Sequence, residues 1–118
     1  MTHRTISKTS ARRLAISRQR LAGDPAPATP EGIMEVVRDL GCLQLDPISA
    51  VARSQLLVLW SRLGAYEPQW LDELLAEGAL FEYWGHAVAF LPIEEYRLHR
   101  RHMLERTPRH RDWLAANP

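Results

Sequence analysis

The chain has 118 residues, 46% hydrophobic and 25% charged, with a formal net charge of +1, which fits one soluble globular domain with a modest core. No apolar run approaches the roughly 18 residues of a membrane helix, and the basic N-terminus lacks the apolar segment of a signal peptide. The single cysteine, Cys42, excludes an internal disulfide framework and suits a reducing cytoplasm. In chain order, Ser7 is an N-cap residue, and Ala11, Leu14, Ala15 and Leu21 follow at helical spacing, predicting a helix that ends near Ala22-Gly23. "GDPAPATP" is a Pro-rich linker. Thr29-Pro30-Glu31 sets an N-cap before a first-position proline; Ile33, Met34, Val36, Val37 and Leu40 supply an apolar face, and Gly41 stops the helix. The apolar run Cys42–Asp46 reads as a short strand closed by Pro47. Helices are expected over about Ser54–Leu63 and Pro68–Glu77, stopped by Gly64 and Gly78. "ALFEYWGHAVAFLP" reads as a β-hairpin turning near Gly85-His86. Pro92 is expected to open a long helix, and Thr107-Pro108 to cap a separate last one carrying Trp113 and Leu114.

From 29 to 91 the order is helix, short strand, helix, helix, hairpin, which is the order of a winged helix-turn-helix. The expected fold class is therefore mainly α with a small antiparallel β-sheet. A single domain is expected, with a winged-helix unit over about 29–91 and flanking helices over about 7–22 and 92–118. The helix that would normally enter the major groove, "PQWLDELLAEG", carries Asp72, Glu73 and Glu77 and no cation. Phosphate would repel it, so this unit either does not read DNA or reads it with another element.

Charge is unevenly distributed. Residues 1–22 hold Arg4, Lys8, Arg12, Arg13, Arg18 and Arg20 and no acid; residues 97–118 hold Arg97, Arg100, Arg101, Arg106, Arg109 and Arg111 against Glu105 and Asp112. Between them Arg38, Arg53 and Arg62 face twelve acids. Arginine binds phosphate through a planar, bidentate fork. Arg12, Arg13, Arg100 and Arg101, with Arg53 next to the central apolar run, are the candidate DNA contacts; the plainer alternative is a set of solvated helix faces.

Within "LGCLQLDPISAVAR", Gln44 and Asp46 stand two residues apart. In a strand they share one face while Leu43 and Leu45 share the other. Asp before Pro is also an ordinary turn residue, so the pair has a purely structural explanation as well as a chemical one. Trp60, Trp70, Trp84 and Trp113 are expected to pack in the core or between domains, and either Tyr83 or Trp84 must face outward across its strand. His99, His102 and His110 lack the cysteine or carboxylate pattern of a metal site, and no Ser/His/Asp triad or phosphate-cradling glycine loop is present. No metal and no cofactor are expected.

The segments "LGCLQLDPISAVARSQLLVLWSRLG" and "LFEYWGHAVAFLPIEEY" resemble the bacterial crosslink-repair DNA glycosylases of the AlkZ/YcaQ type. The Gln-apolar-Asp triplet, its following proline, the LWSRLG block and the EYWGHA block occur in order, and the likeness extends from Ala11 to the "HRRHM" segment at 99–103. It implies a monofunctional glycosylase that excises N7-alkylated purines and unhooks interstrand crosslinks. The catalytic pair it implies falls on Gln44 and Asp46, with His86 and Trp84 as candidates for supporting the site. The implied partner is double-stranded DNA carrying alkylated purines, met by a cytoplasmic, nucleoid-associated monomer with no membrane contact. Members of that family are several times longer, so these 118 residues are expected to be the N-terminal piece of a protein with further winged helices. A non-catalytic winged-helix module, binding DNA or docking protein, is the alternative from a different class.

Overall fold

The structure, a computed structural model, describes residues 5–117. Arg4 of the N-terminal basic group and the side chain of Arg109 in the C-terminal one lie outside the described residues. The elements run α1 (Lys8–Arg18), α2 (Pro30–Leu40), β1 (Leu43–Gln44), α3 (Ser54–Leu63), α4 (Gln69–Ala76), β2 (Leu80–Trp84), β3 (Val88–Pro92), a 3-10 turn (Ile93–Glu95) and α5 (Tyr96–Ala116). The fold is thus mainly helical with one small antiparallel sheet, as the sequence pattern indicates, and its order is compatible with a winged helix. Among the described residues no helix is long and apolar enough to cross a membrane.

Local chemistry sets most boundaries. Thr29 caps α2, its Oγ1 accepting the Gly32 amide at 3.2 Å. Gly41, at φ 81°, closes α2 in the left-handed conformation open to glycine and donates its amide to Val37 and Arg38. The apolar stripe of α2 then buries Ile33, Val36 and Val37 against Leu59 and Leu63 of α3, Leu71 and Leu74 of α4, and Leu43, Leu80 and Phe90 of the sheet. Each such aliphatic side chain contributes about 1.5–3 kcal/mol of transfer free energy.

The sheet order is β1-β3-β2, both pairings antiparallel. Leu43, Phe90 and Glu82 form one cross-strand row; Gln44, Ala89 and Tyr83 form the next, on the opposite face. The first face packs on the helices. On the second, α5 lies across the hairpin, Tyr96 meeting Phe81 edge-on at 5.4 Å and His99 meeting Tyr83 at 4.7 Å.

Several expectations are corrected. α1 begins at its predicted cap, Ser7 accepting the Ser10 amide at 3.0 Å, but it ends at Arg18 and buries no residue. Its spacing of Ala11, Leu14 and Ala15 therefore makes an exposed face, and the chain leaves the helix through Arg20 at φ 51°. β1 spans Leu43–Gln44 instead of Cys42–Asp46, with Leu45 adding one further ladder bond to Val88 O. The break at Thr107-Pro108 does not occur: α5 runs through Pro108. The proline removes one amide donor, and the Thr107 hydroxyl bonds back to Met103 O at 2.9 Å within the continuous helix. Pro92 ends β3 and is the N-cap of the 3-10 turn Ile93–Glu95 that leads into α5. Of the tryptophans only Trp70 packs against the core; Trp60, Trp84 and Trp113 are exposed.

The linker before α2 is fastened down. Arg62, 8% exposed, donates to Gln19 O and Val58 O at 2.9 Å, and its own carbonyl accepts the Ala26 amide at 3.0 Å. Burial lowers the Arg62 pKa from its ordinary value. This anchor ties the end of α1 and the linker to α3.

Candidate active site

The hairpin outruns the helical layer. At its open end the paired Leu80 and Pro92 are buried, whereas Glu82 and Trp84, on the same face nearer the turn, are exposed. The uncovered face becomes the wall of an open cleft of about 690 Å³. Its other wall comes from the chain between β1 and α3. Asp46, Arg53, Gln55, Trp84, His86 and Phe90 all line it.

Asp46 reaches this cleft because the strand stops short. Leu45 still donates its amide to Val88 O at 2.8 Å, but Pro47 offers no donor to continue the ladder. The chain turns there, and Asp46 Oδ1 accepts the Ile48 amide at 2.9 Å, the Asx-turn bond expected of an aspartate at a strand end. The carboxylate is half-buried. Among the described residues no side chain donates to it, and Asp46 is one of the residues that line the cleft. Neither an arginine nor a helix N-terminus ties it up.

Gln44 and Asp46 differ in their surroundings: Asp46 lines the cleft and Gln44 does not. Gln44 stands in register with Ala89 and Tyr83, on the α5 side of the sheet; it is exposed and is not among the residues lining the cleft. Arg53, His86 and Trp84 do join Asp46 in the cleft, Trp84 at 65% exposure. Tyr83 turns the other way, half-buried against α5. Arg12, Arg13, Arg100 and Arg101 are exposed on α1 and α5 and do not line the cleft; Arg101 is also paired with Glu105 at 2.7 Å.

Three residues not singled out from the sequence belong here. Gln55 is only 7% exposed and its Oε1 finds no hydrogen-bond partner among the described residues; its signal is a lone amide in the apolar run "SQLLVLW". Glu82 brings a second carboxylate into the cleft. Arg106 lies round the edge of Trp84, in a smaller cavity of about 400 Å³ that also takes in Glu82 and His110. It was visible only as one of the C-terminal arginines, because its place depends on how α5 crosses the hairpin.

A family model described as "DNA glycosylase AlkZ-like" matches residues 37–118. The chain belongs to the AlkZ-like DNA glycosylase family. The match covers β1, the cleft-lining residues of the loop after it, α3, the hairpin and α5, and so includes Gln44, Asp46, Arg53, Trp84, His86, Arg100 and Arg101; Arg12 and Arg13 precede it. Membership makes DNA the partner and glycosylase repair the kind of function. No solved structure matches the chain.

Proposed function

We propose that the chain carries the catalytic carboxylate of a glycosylase that hydrolyses the N-glycosidic bond of N7-alkylated purines in double-stranded DNA, interstrand crosslinks among them. The observation that carries this reading is Asp46: a half-buried residue whose carboxylate is fixed through one oxygen by the Ile48 amide, lining a cleft walled by Arg53, Trp84 and His86.

The chemistry suits a carboxylate with little else. An N7-alkylpurine already carries a positive charge, so the C1′–N bond electrons leave with the base and neutralise it. Little general-acid help is needed. Charge builds instead on the sugar, which becomes oxocarbenium-like. A fixed carboxylate stabilises that charge and accepts a proton from the water whose oxygen bonds to C1′. The turn bond from Ile48 holds the carboxylate in place before the substrate arrives, which is what makes electrostatic stabilisation effective. Arg53 offsets phosphate repulsion at the mouth of a cleft that also holds Glu82. Gln44 is the second residue of the proposed pair. It does not line the cleft, so its loss should cost less than that of Asp46.

One observation favours the non-catalytic module: Asp46 does make the strand-end turn bond. Replacing Asp46 by Asn separates the two, because the Asn side-chain carbonyl still accepts the Ile48 amide while the charge is gone. Excision of N7-methylguanine should fall steeply with thermal stability unchanged. An Asn variant that excises at the wild-type rate would sink the catalytic assignment.

A further inference from the structure

We propose that the loop joining β1 to α3 is an apolar wedge that enters the DNA base stack beside the nucleotide facing Asp46; this rests on the glycosylase reading above. The loop, 47–53, reads "PISAVAR". Ile48 is 74% exposed and Val51 91%. Two aliphatic side chains are thus held out in water at the rim of the cleft.

The loop is not slack. Its first end is bonded to Asp46 through the Ile48 amide, its second is closed by the bridge between Ser49 and Arg53, and Arg53 O then accepts the Leu56 amide at 3.0 Å at the start of α3. Both ends, Asp46 and Arg53, line the cleft. Whatever receives Ile48 and Val51 is therefore placed directly beside the Asp46 carboxylate.

A base stack fits that position. Moving a nucleotide toward a recessed carboxylate opens a gap in the duplex, and apolar side chains inserted between base steps fill such gaps and kink the helix. Arg53 at the root of the loop supplies the cation for the adjoining phosphate. A protein partner fits less well. A stable protein interface takes roughly 800 Å² from each side, and two aliphatic side chains on a seven-residue loop offer a small part of that.

The test uses the full chain and two duplexes. A fluorescein-labelled plain duplex reports binding by anisotropy at low salt. A second duplex holds a tetrahydrofuran abasic analogue beside 2-aminopurine, which brightens when unstacked. Wild-type protein should bind both and raise the 2-aminopurine signal severalfold. The double variant Ile48→Ser and Val51→Ser should keep its melting temperature and its plain-duplex binding but lose most of that rise. Asp46→Asn should keep the rise, because the second duplex has no scissile bond and the Asn side-chain carbonyl still accepts the Ile48 amide. Binding by wild type with no rise, or an equal rise in the serine variant, overturns the wedge and leaves the glycosylase reading standing. So does a serine variant with an unchanged rise whose dimerisation is lost, which makes the loop a self-association surface. No binding to either duplex overturns both.

Discussion

Replacing Gly32 by Ala should unfasten the linker that leads from α1 into α2. Gly32 lies in the first turn of α2, and a Cβ built on it would stand 1.8 Å from the Pro27 carbonyl oxygen and 3.3 Å from a methyl of Leu63. The obstruction at Pro27 is backbone, so it yields only if the linker moves by more than 1 Å, taking an ordinary contact of about 3.4 Å as the target. That shift strains two bonds: Thr29 N to Pro27 O at 2.9 Å and Ala26 N to Arg62 O at 3.0 Å. Overpacking costs about 1–3 kcal/mol and each lost hydrogen bond about 0.5–1.5 kcal/mol. Alanine's better helix propensity returns at most about 1 kcal/mol. A net loss of about 2–4 kcal/mol follows, which for a domain of this size lowers the melting temperature by roughly 8–15 °C. Urea titration followed by circular dichroism, with the slope unchanged, measures it. A variant within about 0.5 kcal/mol of wild type, the usual range of an innocuous surface change, would refute the fastened linker.

DNA affinity should be salt-sensitive and independent of sequence, with log affinity falling in proportion to the phosphates neutralised; replacing Arg12, Arg13, Arg100 and Arg101 should flatten the salt slope in an anisotropy titration, and an unchanged slope counts against the terminal arginines. Gln55→Leu should stabilise the fold by about 1 kcal/mol in the same urea titration, because the buried Oε1 has no partner and leaving such a group unpaired costs about 1–3 kcal/mol. A stability loss would show that the amide is satisfied. The hydrogen bond from Arg38, at 2.6 Å, lowers the Glu94 pKa below its ordinary 4.5. The pair's contribution is therefore present above pH 4.5 and lost as pH falls through the lower folded value. Both side chains are about half exposed, so Glu94→Gln should lower stability at pH 7 by less than about 1 kcal/mol, and wild type and variant should converge in acid.

Much of this architecture is legible in the sequence where one residue type decides a local event. Thr29 before Pro30 and Gly41 after Leu40 mark the two ends of α2, and the alternation of "LFEYW" and "VAFLP" about a Gly-His turn gives the hairpin. Elements whose fate depends on tertiary contact are less legible. α1 carries a helical apolar spacing with nothing to pack against, and Pro108 sits inside a helix where its own chemistry argues for a stop. At the candidate site the residue types were visible and their arrangement was not. Asp46 lines the cleft while Gln44 does not, a difference that the spacing of the pair alone does not give. Gln55, Glu82 and Arg106 come to the cleft and its margin only through the packing of α3 and α5 on the hairpin.

Asp46 carries the central claim, and one paired measurement on Asp46→Asn tests it most directly: single-turnover excision of N7-methylguanine from duplex DNA, with the melting temperature of the same preparation. Asn keeps the acceptor for the Ile48 amide that now fixes the turn at 2.9 Å, so melting should stay within a few degrees of wild type. It removes the charge that faces the developing oxocarbenium, a preorganised interaction worth a few kcal/mol, or about a hundredfold or more in rate. The expected result is an excision rate down by at least that factor with an intact fold. Wild-type excision with a lowered melting temperature would contradict it and leave Asp46 as the residue that turns the chain at the end of β1.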